Sequence, residues 1–341
     1  MIIKRRKTRQ ISVGNVKIGN GAPVSIQSMA KTDTRDVKKT VSQINELEKS
    51  GCQIVRVAVK DIDAAKAIRH IKQNIKIPIV ADIHFDYKLA VLAIQNKADK
   101  IRLNPGNITK KEEIELVIKT AKAHNVPIRI GINSGSIRGA KEMTKSALEY
   151  IRLFEKLRFN DIIISLKGAD VPQTVQAYRY ISRKCDYPLH LGITAAGLPE
   201  DGIIKSAVGI GSLLLDGIGD TIRVSLTGDP VLEVEAAKQI LNAAGLADFG
   251  PQIISCPTCG RCQVNLTKIV NELKEKLTNK IDPIKIAVMG CEVNGPGEAK
   301  DADIGIAAGK NSGMLFKKGK PVARVAEKDF VKELLKEINK Q

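Results

Sequence analysis

The chain has 341 residues, 43% of them apolar, and carries 55 Lys and Arg against 37 Asp and Glu, a formal charge of +18. That length exceeds one small core and implies a large domain with a smaller one, or two of middling size; no apolar run approaches the roughly 18 residues of a membrane span. The basic balance favours anionic partners (nucleic acid, phosphorylated metabolites or acidic proteins), while 3% aromatics and the absence of Trp count against single-strand nucleic-acid binding, which stacks bases on rings.

The N-terminal MIIKRRKTRQ is basic, with no apolar segment after it, and predicts a cytoplasmic protein. ISVGNVKIG follows and predicts a hairpin capping the bottom of whatever comes next. From about residue 23 to about 245, short apolar strands alternate with amphipathic helices. The strands read PVSIQS (23–28), IVRVAV (54–59), IPIVADI (77–83), KIRLN (100–104), IRIGIN (128–133), IIISLK (162–167), PLHLGIT (188–194) and TIRVSL (221–226). Helical patterns such as VKKTVSQINELEKSG and KKEEIELVIKTAKAHN lie between them and end in Gly or Asn, the usual helix stop. Eight such units over roughly 220 residues predict a parallel, closed (β/α)₈ TIM-type barrel rather than an open sheet.

A break is read at 248-DFGPQIIS-255. The remainder predicts a small α+β domain: a cysteine loop, a helix near 266–277, a strand at 284–290, ADIGIAAG, a hairpin around 313–325 and a helix over about 327–338. The expected division is 1–247, a substrate-binding barrel, and 248–341, a metal-bearing domain.

In a (β/α)₈ barrel the active site lies at the C-terminal ends of the strands. The strands deliver there Gln27 and Ser28, Asp82 and His84, Asn104, Asn133, Ser165, His190, Thr194 and Ser225. Five of them also bring a cation: Arg56, Arg102, Arg129, Lys167 and Arg223. Any one of these could line a solvated mouth or pair with a carboxylate. Five converging cations with few acids could not pack closely without a dense anion to neutralise them. A diphosphate suits, with forked Arg contacts, one Lys point charge and neutral Asn and Ser donors.

Cys52 and Cys185 stand alone in apolar helical contexts and read as free thiols. The other four cysteines crowd the last third, in 255-SCPTCGRC-262 and 289-MGCEVNGPGEA-299. Clustering of this kind points to metal or redox chemistry rather than disulfides. CxxCxxC is part of a ferredoxin-type pattern, but the Pro follows the first cysteine rather than the last. On spacing alone, a Cys₄ zinc site from Cys256, Cys259, Cys262 and Cys291 remains open.

These motifs, with ADIHFDY, KIRLNPGN, RIGINSGS, HLGIT and GIGDTIRVSLTGDP, extend over essentially the whole chain. Together they resemble the 4-hydroxy-3-methylbut-2-en-1-yl diphosphate synthase family of the methylerythritol phosphate isoprenoid pathway, in its bacterial two-domain form. The resemblance implies a [4Fe–4S] cluster held by Cys256, Cys259, Cys291 and Glu298, with Cys262 outside the motif. A carboxylate is a weaker ligand than a thiolate for such a cluster, which leaves one displaceable position.

The implied reaction is the two-electron reductive ring opening of 2-C-methyl-D-erythritol 2,4-cyclodiphosphate, with loss of water. Arg56, Arg102, Arg129, Lys167 and Arg223, with Asn104, Asn133 and Ser225, would hold the cyclic diphosphate. Asp82 and His84 would orient donors or relay protons, and they join Glu298 as catalytic candidates. The resemblance further implies a homodimer, with one subunit's cluster domain over its partner's barrel mouth. A flavodoxin or ferredoxin would supply electrons, and neither nucleic acid nor membrane would be a partner.

The sequence departs from the family at one place, where HLGITEAG reads 190-HLGITAAG-197. The missing glutamate is an active-site acid in the family, so Ala195 puts full activity in question; Glu200, Asp201 or water would have to supply the proton. Two rival classes stand beside this reading: a zinc-bearing nucleic-acid binder, and a barrel synthase for a phosphorylated or pterin-like substrate with a purely structural cluster.

Overall fold

Two short strands, β1 (Ile11–Val13) and β2 (Val16–Ile18), pair antiparallel. Their Ile11, Val13 and Ile18 pack on Ile54, Val80 and Ile163, which come from three different barrel strands. The computed structural model describes residues 3–104, 110–135, 137, 139–277, 282–291, 297 and 302–340. It divides into two units, Met1–Ala247 and Asp248–Gln341.

The first unit is a barrel. Its strands are β3 (Ser25–Met29), β4 (Ile54–Ala58), β5 (Ile79–Ile83), β6 (Lys100–Leu103), β7 (Ile128–Asn133), β8 (Ile162–Lys167), β9 (His190–Leu191) and β10 (Thr221–Ile222). They lie in the order β8-β7-β6-β5-β4-β3-β10-β9, and a parallel bridge between Ile164 and Leu189 closes the ring. The helices between them are α1 (Val37–Ser50), α2 (Ile62–Lys72), α3 (Tyr87–Gln95), α4 (Lys111–Ala123), α5 (Ala140–Lys156), α6 (Val171–Ser182), α7 (Pro199–Leu215) and α8 (Pro230–Ala243).

Local chemistry accounts for where these helices begin. Asp36, Asp61, Asp86, Asp170 and Asp229 each cap one, the carboxylate accepting a backbone N–H two or three residues on. At the other end of α1, Gly51 takes φ 103°, and its N–H bonds back to the last turn. Strands β9 and β10 are shorter than the sequence predicts. After Leu191 the chain leaves the ladder: the Thr194 N–H bonds the Gly168 carbonyl instead, at 3.1 Å. Gly192 lets this happen, since a Cβ there would lie 2.5 Å from Lys167 Nζ and 2.6 Å from the Arg223 carbonyl.

The second unit has a five-stranded sheet in the order β11-β12-β13-β14-β15. These are β11 (Gln252–Ser255), β12 (Lys285–Met289), β13 (Ile304–Gly309), β14 (Ser312–Lys317) and β15 (Lys320–Ala326). Strands β11 to β13 run parallel, while β14 and β15 form an antiparallel hairpin. Helices α9 (Leu266–Lys276) and α10 (Phe330–Ile338) cover the sheet through Leu266, Leu273, Phe330 and Leu334. The stretch read as a break is therefore partly strand. QIIS is a half-exposed edge strand after Pro251, too short to carry a periodic signal.

Candidate active site

Parallel strands point alternate side chains into a barrel. Lys100 on β6 donates to Gln27 Oε1 on β3 at 3.3 Å, although two strands separate β3 from β6 in the sheet. Only the interior allows that contact, so both residues face inward. Strand register carries the inner face onward: Met29 pairs with Arg56, Asp82 with Arg102, Arg102 with Arg129, and Asn133 with Lys167.

Asp82 is the inward acid among the described residues. It is 4% exposed and lies 3.3 Å from Arg102 Nη1, 3.3 Å from His84 Nε2 and 3.8 Å from Arg56 Nε. Burial alone would raise its pKa. The Arg56, Arg102 and Arg129 charges and the His84 hydrogen bond outweigh burial and hold the carboxyl well below the usual carboxylate range. His84 also approaches Arg102 Nη1 at 3.3 Å, so Asp82, His84 and Arg102 form one hydrogen-bonded group. The Arg56 fork rests on Met29 Sδ at 2.9 and 3.1 Å.

Arg129 and Lys167 are buried and have no carboxylate partner among the described residues. Burial first, then neighbouring arginines, lowers the Lys167 pKa well below its ordinary value. The same causes act on His190, which is fully buried: burial first, then repulsion from the like charges of Lys167 and Arg129. Arg223 is pushed down to about 10 by burial and Arg56, while Glu233 opposes the shift. Asn104 and Ser165 are buried on the same strand ends, and Asn133 and Ser225 are half-buried.

Among the described residues, eleven buried side-chain N or O atoms have no hydrogen-bond partner; nine of them belong to Ser25, Gln27, Arg102, Arg129, His190, Thr221 and Arg223 of the barrel. A buried donor left unpaired costs about 1–3 kcal/mol. The barrel is thus a donor-rich chamber built to receive acceptors.

Glu298 lies outside the described residues, as does Asn294 of the same motif. The cysteines are positioned by the β11–β12 pair. These strands are parallel neighbours, Ser255 in register with Val288, so their C-terminal ends lie side by side. Cys256 follows one end, and Gly290–Cys291 the other. The Gly290 N–H points to Cys256 Sγ at 3.3 Å. A Cβ on Gly290 would sit 2.4 Å from Cys262 Sγ and 3.5 Å from Cys256 Sγ, so both sulfurs close on that one backbone carbon. Cys291 is buried and Cys259 exposed. Among the described residues no three His, Cys, Asp or Glu side chains close on one point as a single ion requires.

Sequence reasoning passed over two groups. Lys100, fully buried one strand step below Arg102, was signalled by the alternation in KIR. Glu233 was signalled by an acid on the buried face of VLEVEAAKQ, beside Pro230, Val234 and Ala237.

Lys100 also motivates a stability prediction. Burial, then the Arg129 and Arg56 charges, lowers its pKa well below that of an ordinary lysine. Even a buried ion pair is often neutral or stabilising by about 1–4 kcal/mol to replace with apolar residues of similar volume. Lys100 has only a neutral amide as partner, and about 2–4 °C in Tm follows per kcal/mol for a unit this size. The double variant Lys100→Met/Gln27→Leu is therefore expected to melt several degrees higher while binding an anionic ligand more weakly. A lower Tm would show that internal water already satisfies the pair.

Two family models match the chain: the GcpE TIM-barrel domain over residues 8–238 and the GcpE protein C-terminal domain over 252–340. Among curated proteins, the 4-hydroxy-3-methylbut-2-en-1-yl diphosphate synthase (flavodoxin) of Caldanaerobacter subterraneus subsp. tengcongensis is 55% identical, covering 100% of this chain and 99% of its own length. The protein of the same name from Clostridium perfringens is 53% identical over 98% of this chain and 99% of its own. Among solved structures, dihydropteroate synthase from Stenotrophomonas maltophilia superposes with a TM-score of 0.54 at 13% identity, over 70% of this chain and 98% of that one. That likeness is one of fold alone.

Proposed function

This chain belongs to the GcpE family, and from that premise we propose that it opens 2-C-methyl-D-erythritol 2,4-cyclodiphosphate reductively to (E)-4-hydroxy-3-methylbut-2-enyl diphosphate. It is an oxidoreductase of isoprenoid biosynthesis, a 4-hydroxy-3-methylbut-2-en-1-yl diphosphate synthase like its relatives. Two electrons and a proton enter; one carbon–oxygen bond of the cyclic diphosphate breaks, and a hydroxyl leaves as water.

The observation that carries this reading is the set of buried, unpartnered guanidinium nitrogens of Arg102, Arg129 and Arg223 near the C-terminal ends of the barrel strands. Arg56, Arg102, Arg129, Lys167 and Arg223 supply positive charge, and Asn104, Asn133 and Ser225 supply neutral groups. The diphosphate oxygen released from its ring carbon gains negative charge. Cations already fixed around it stabilise that charge without having to reorganise. Asp82 stays ionised and holds Arg56 and Arg102 in place, while His84, half-exposed between Asp82 and Arg102, is placed to pass a proton to the mouth.

A [4Fe–4S] cluster would be held by Cys256, Cys259, Cys291 and Glu298. Of these, Cys256 and Cys291 follow the ends of adjacent parallel strands β11 and β12, where Gly290 has no Cβ to obstruct the Cys256 sulfur, and soft thiols suit such a group. When bound it supplies the electrons, received from a flavodoxin or ferredoxin. Such carriers are acidic, and the +18 charge favours their approach.

The working unit is a homodimer. An apolar row on the exposed side of α7, Ile204, Val208 and Leu215, supports self-association, because monomers seldom expose such rows. The setting is cytoplasmic. Among the described residues no helix is long and apolar enough to cross a membrane.

The test is direct binding of the cyclodiphosphate. Losing one charge-assisted contact costs about 1.5–3 kcal/mol, roughly 10- to 150-fold in affinity. Arg102→Ala and Lys167→Ala are expected to weaken binding by that factor and to leave the visible spectrum unchanged. Unaltered affinity in both variants would place the substrate elsewhere.

A further inference from the structure

We propose that Glu233, on the outer helix α8, is the positioning residue for Arg223 and aims that guanidinium at the substrate from behind the barrel wall. The inference rests on the diphosphate reading of the mouth and adds to it a residue that makes no contact with substrate.

Glu233 is 1% exposed, and both carboxylate oxygens are engaged. Oε1 accepts the Leu226 N–H at 3.0 Å and lies 3.2 Å from Lys31 Nζ. Oε2 accepts the Ser28 hydroxyl at 3.2 Å and lies 3.5 Å from Arg223 Nη2. A carboxylate buried this deeply is retained only where charges and hydrogen bonds compensate it. Here the compensation comes from two cations and two donors that meet at the ends of β3 and β10.

The effect on Arg223 is one-sided. Its Nη2 is tied to Glu233, while its Nε is buried with no partner among the described residues. One edge of the fork is anchored outside the barrel, and the other atoms remain for a ligand inside it. Arg56 repels it, after burial the largest cause of its lowered pKa. With Glu233 neutral, repulsion from Arg56 and the free rotamers of a long side chain would both turn the fork away. An arginine left unheld must give up rotamer freedom on binding, so an anchored one meets the diphosphate more favourably.

Among the described residues, only Asp82 and Glu233 form ion pairs with the mouth cations. Asp82 serves Arg56 and Arg102, and Glu233 serves Arg223. Arg129 and Lys167 are left for the ligand.

Glu233 also touches the loop before α8. Its partner Lys31 donates to the carbonyls of Leu226 at 2.8 Å and of Gly228, so the Glu233–Lys31 pair knits that loop together. A double-mutant cycle separates this anchoring from the positioning of Arg223. Cyclodiphosphate affinity would be measured by calorimetry for wild type, Glu233→Gln, Arg223→Gln and the double variant, with Tm and iron content as controls. Glu233→Gln keeps the shape and an acceptor for the Leu226 N–H but removes the charge. It is expected to weaken binding about 5- to 30-fold, and KM should rise more than kcat falls. In the Arg223→Gln background the same change should cost less than about twofold.

Equal losses in both backgrounds would make Glu233 a loop anchor only and overturn the proposal. No loss in the wild-type background would overturn it as well. Should Glu233→Gln fail to fold, Glu233→Asp keeps the charge one methylene short, and its loss of affinity must likewise vanish beside Arg223→Gln. If the wild-type protein does not bind the cyclodiphosphate, the reading of the mouth fails and Glu233's role fails with it. Wild-type binding without coupling overturns only the role of Glu233.

Discussion

Cys291→Ser is expected to leave a folded protein that has lost most of its iron, its broad absorbance near 400 nm and essentially all turnover. The serine hydroxyl stays protonated and offers a hard oxygen where a soft thiolate is wanted. Cys291 is 5% exposed and follows Gly290, whose N–H points to Cys256 Sγ at 3.3 Å. Cys256→Ser and Cys259→Ser should behave alike. Cys262→Ser should keep its iron, although Cys262 Sγ packs against the same glycine and its thiol is directed at the Val264 carbonyl at 3.3 Å. Iron and sulfide analysis after anaerobic purification decides the matter. Retained iron in Cys291→Ser, or complete loss in Cys262→Ser, would overturn the assignment of ligands. A colourless zinc protein would revive the rival reading of a Cys₄ site.

The second large effect concerns position 195. Ala195→Glu is expected to raise steady-state turnover of the cyclodiphosphate by about 10²- to 10⁴-fold, the usual worth of a general acid, while altering affinity little. Ala195 is exposed in the loop after β9 and adopts φ 50°. The left-handed region costs roughly 1–2 kcal/mol for any residue with a Cβ. Alanine and glutamate bear that cost equally, so the substitution should not disturb the fold. The loop itself is held independently: Thr227 donates its N–H to the Gly197 carbonyl at 2.8 Å, and Lys205 Nζ reaches the Ala196 carbonyl at 3.2 Å. Strained non-glycine backbone of this kind gathers at functional sites. Turnover is to be compared with a chemical reductant at matched cluster content. Equal rates would mean that another group delivers the proton; His84 and the α7 residues Glu200 and Asp201 are then the groups to replace.

Much of the barrel could be read from the chain because its signals are local. Each β–α unit announces itself within about 25 residues: an apolar strand, in five of the eight an aspartate cap, then a stripe at helical spacing. Alternation within a strand likewise tells which residues share a face, so Arg102 and Asp82 could be assigned to the mouth before any contact was known. The two terminal barrel strands were overestimated for a related reason. PLHLGIT and TIRVSL have strand composition throughout, but pairing stops where Gly192 lets the backbone approach Lys167 and Arg223. Edge strand β11 was missed because four half-exposed residues leave no periodic trace.

The sequence by itself determined a family, a (β/α)₈ barrel with a small sheet domain after it, and an excess of cations at the strand ends, because periodicity, caps and motif spacing act over short stretches of chain. Tertiary structure alone decided the partnerships. Lys100 meets Gln27 only because closing the ring sets the fourth barrel strand across from the first. Cys256 meets Gly290 only because β11 and β12 are adjacent and parallel. Glu233 meets Arg223, Ser28 and Lys31 only because α8 packs where β10 and β3 join. The physical reason is common to all three. A side chain's facing is set by its own backbone, whereas its neighbours are set by which elements bury one another, a choice made by the apolar area of the whole chain.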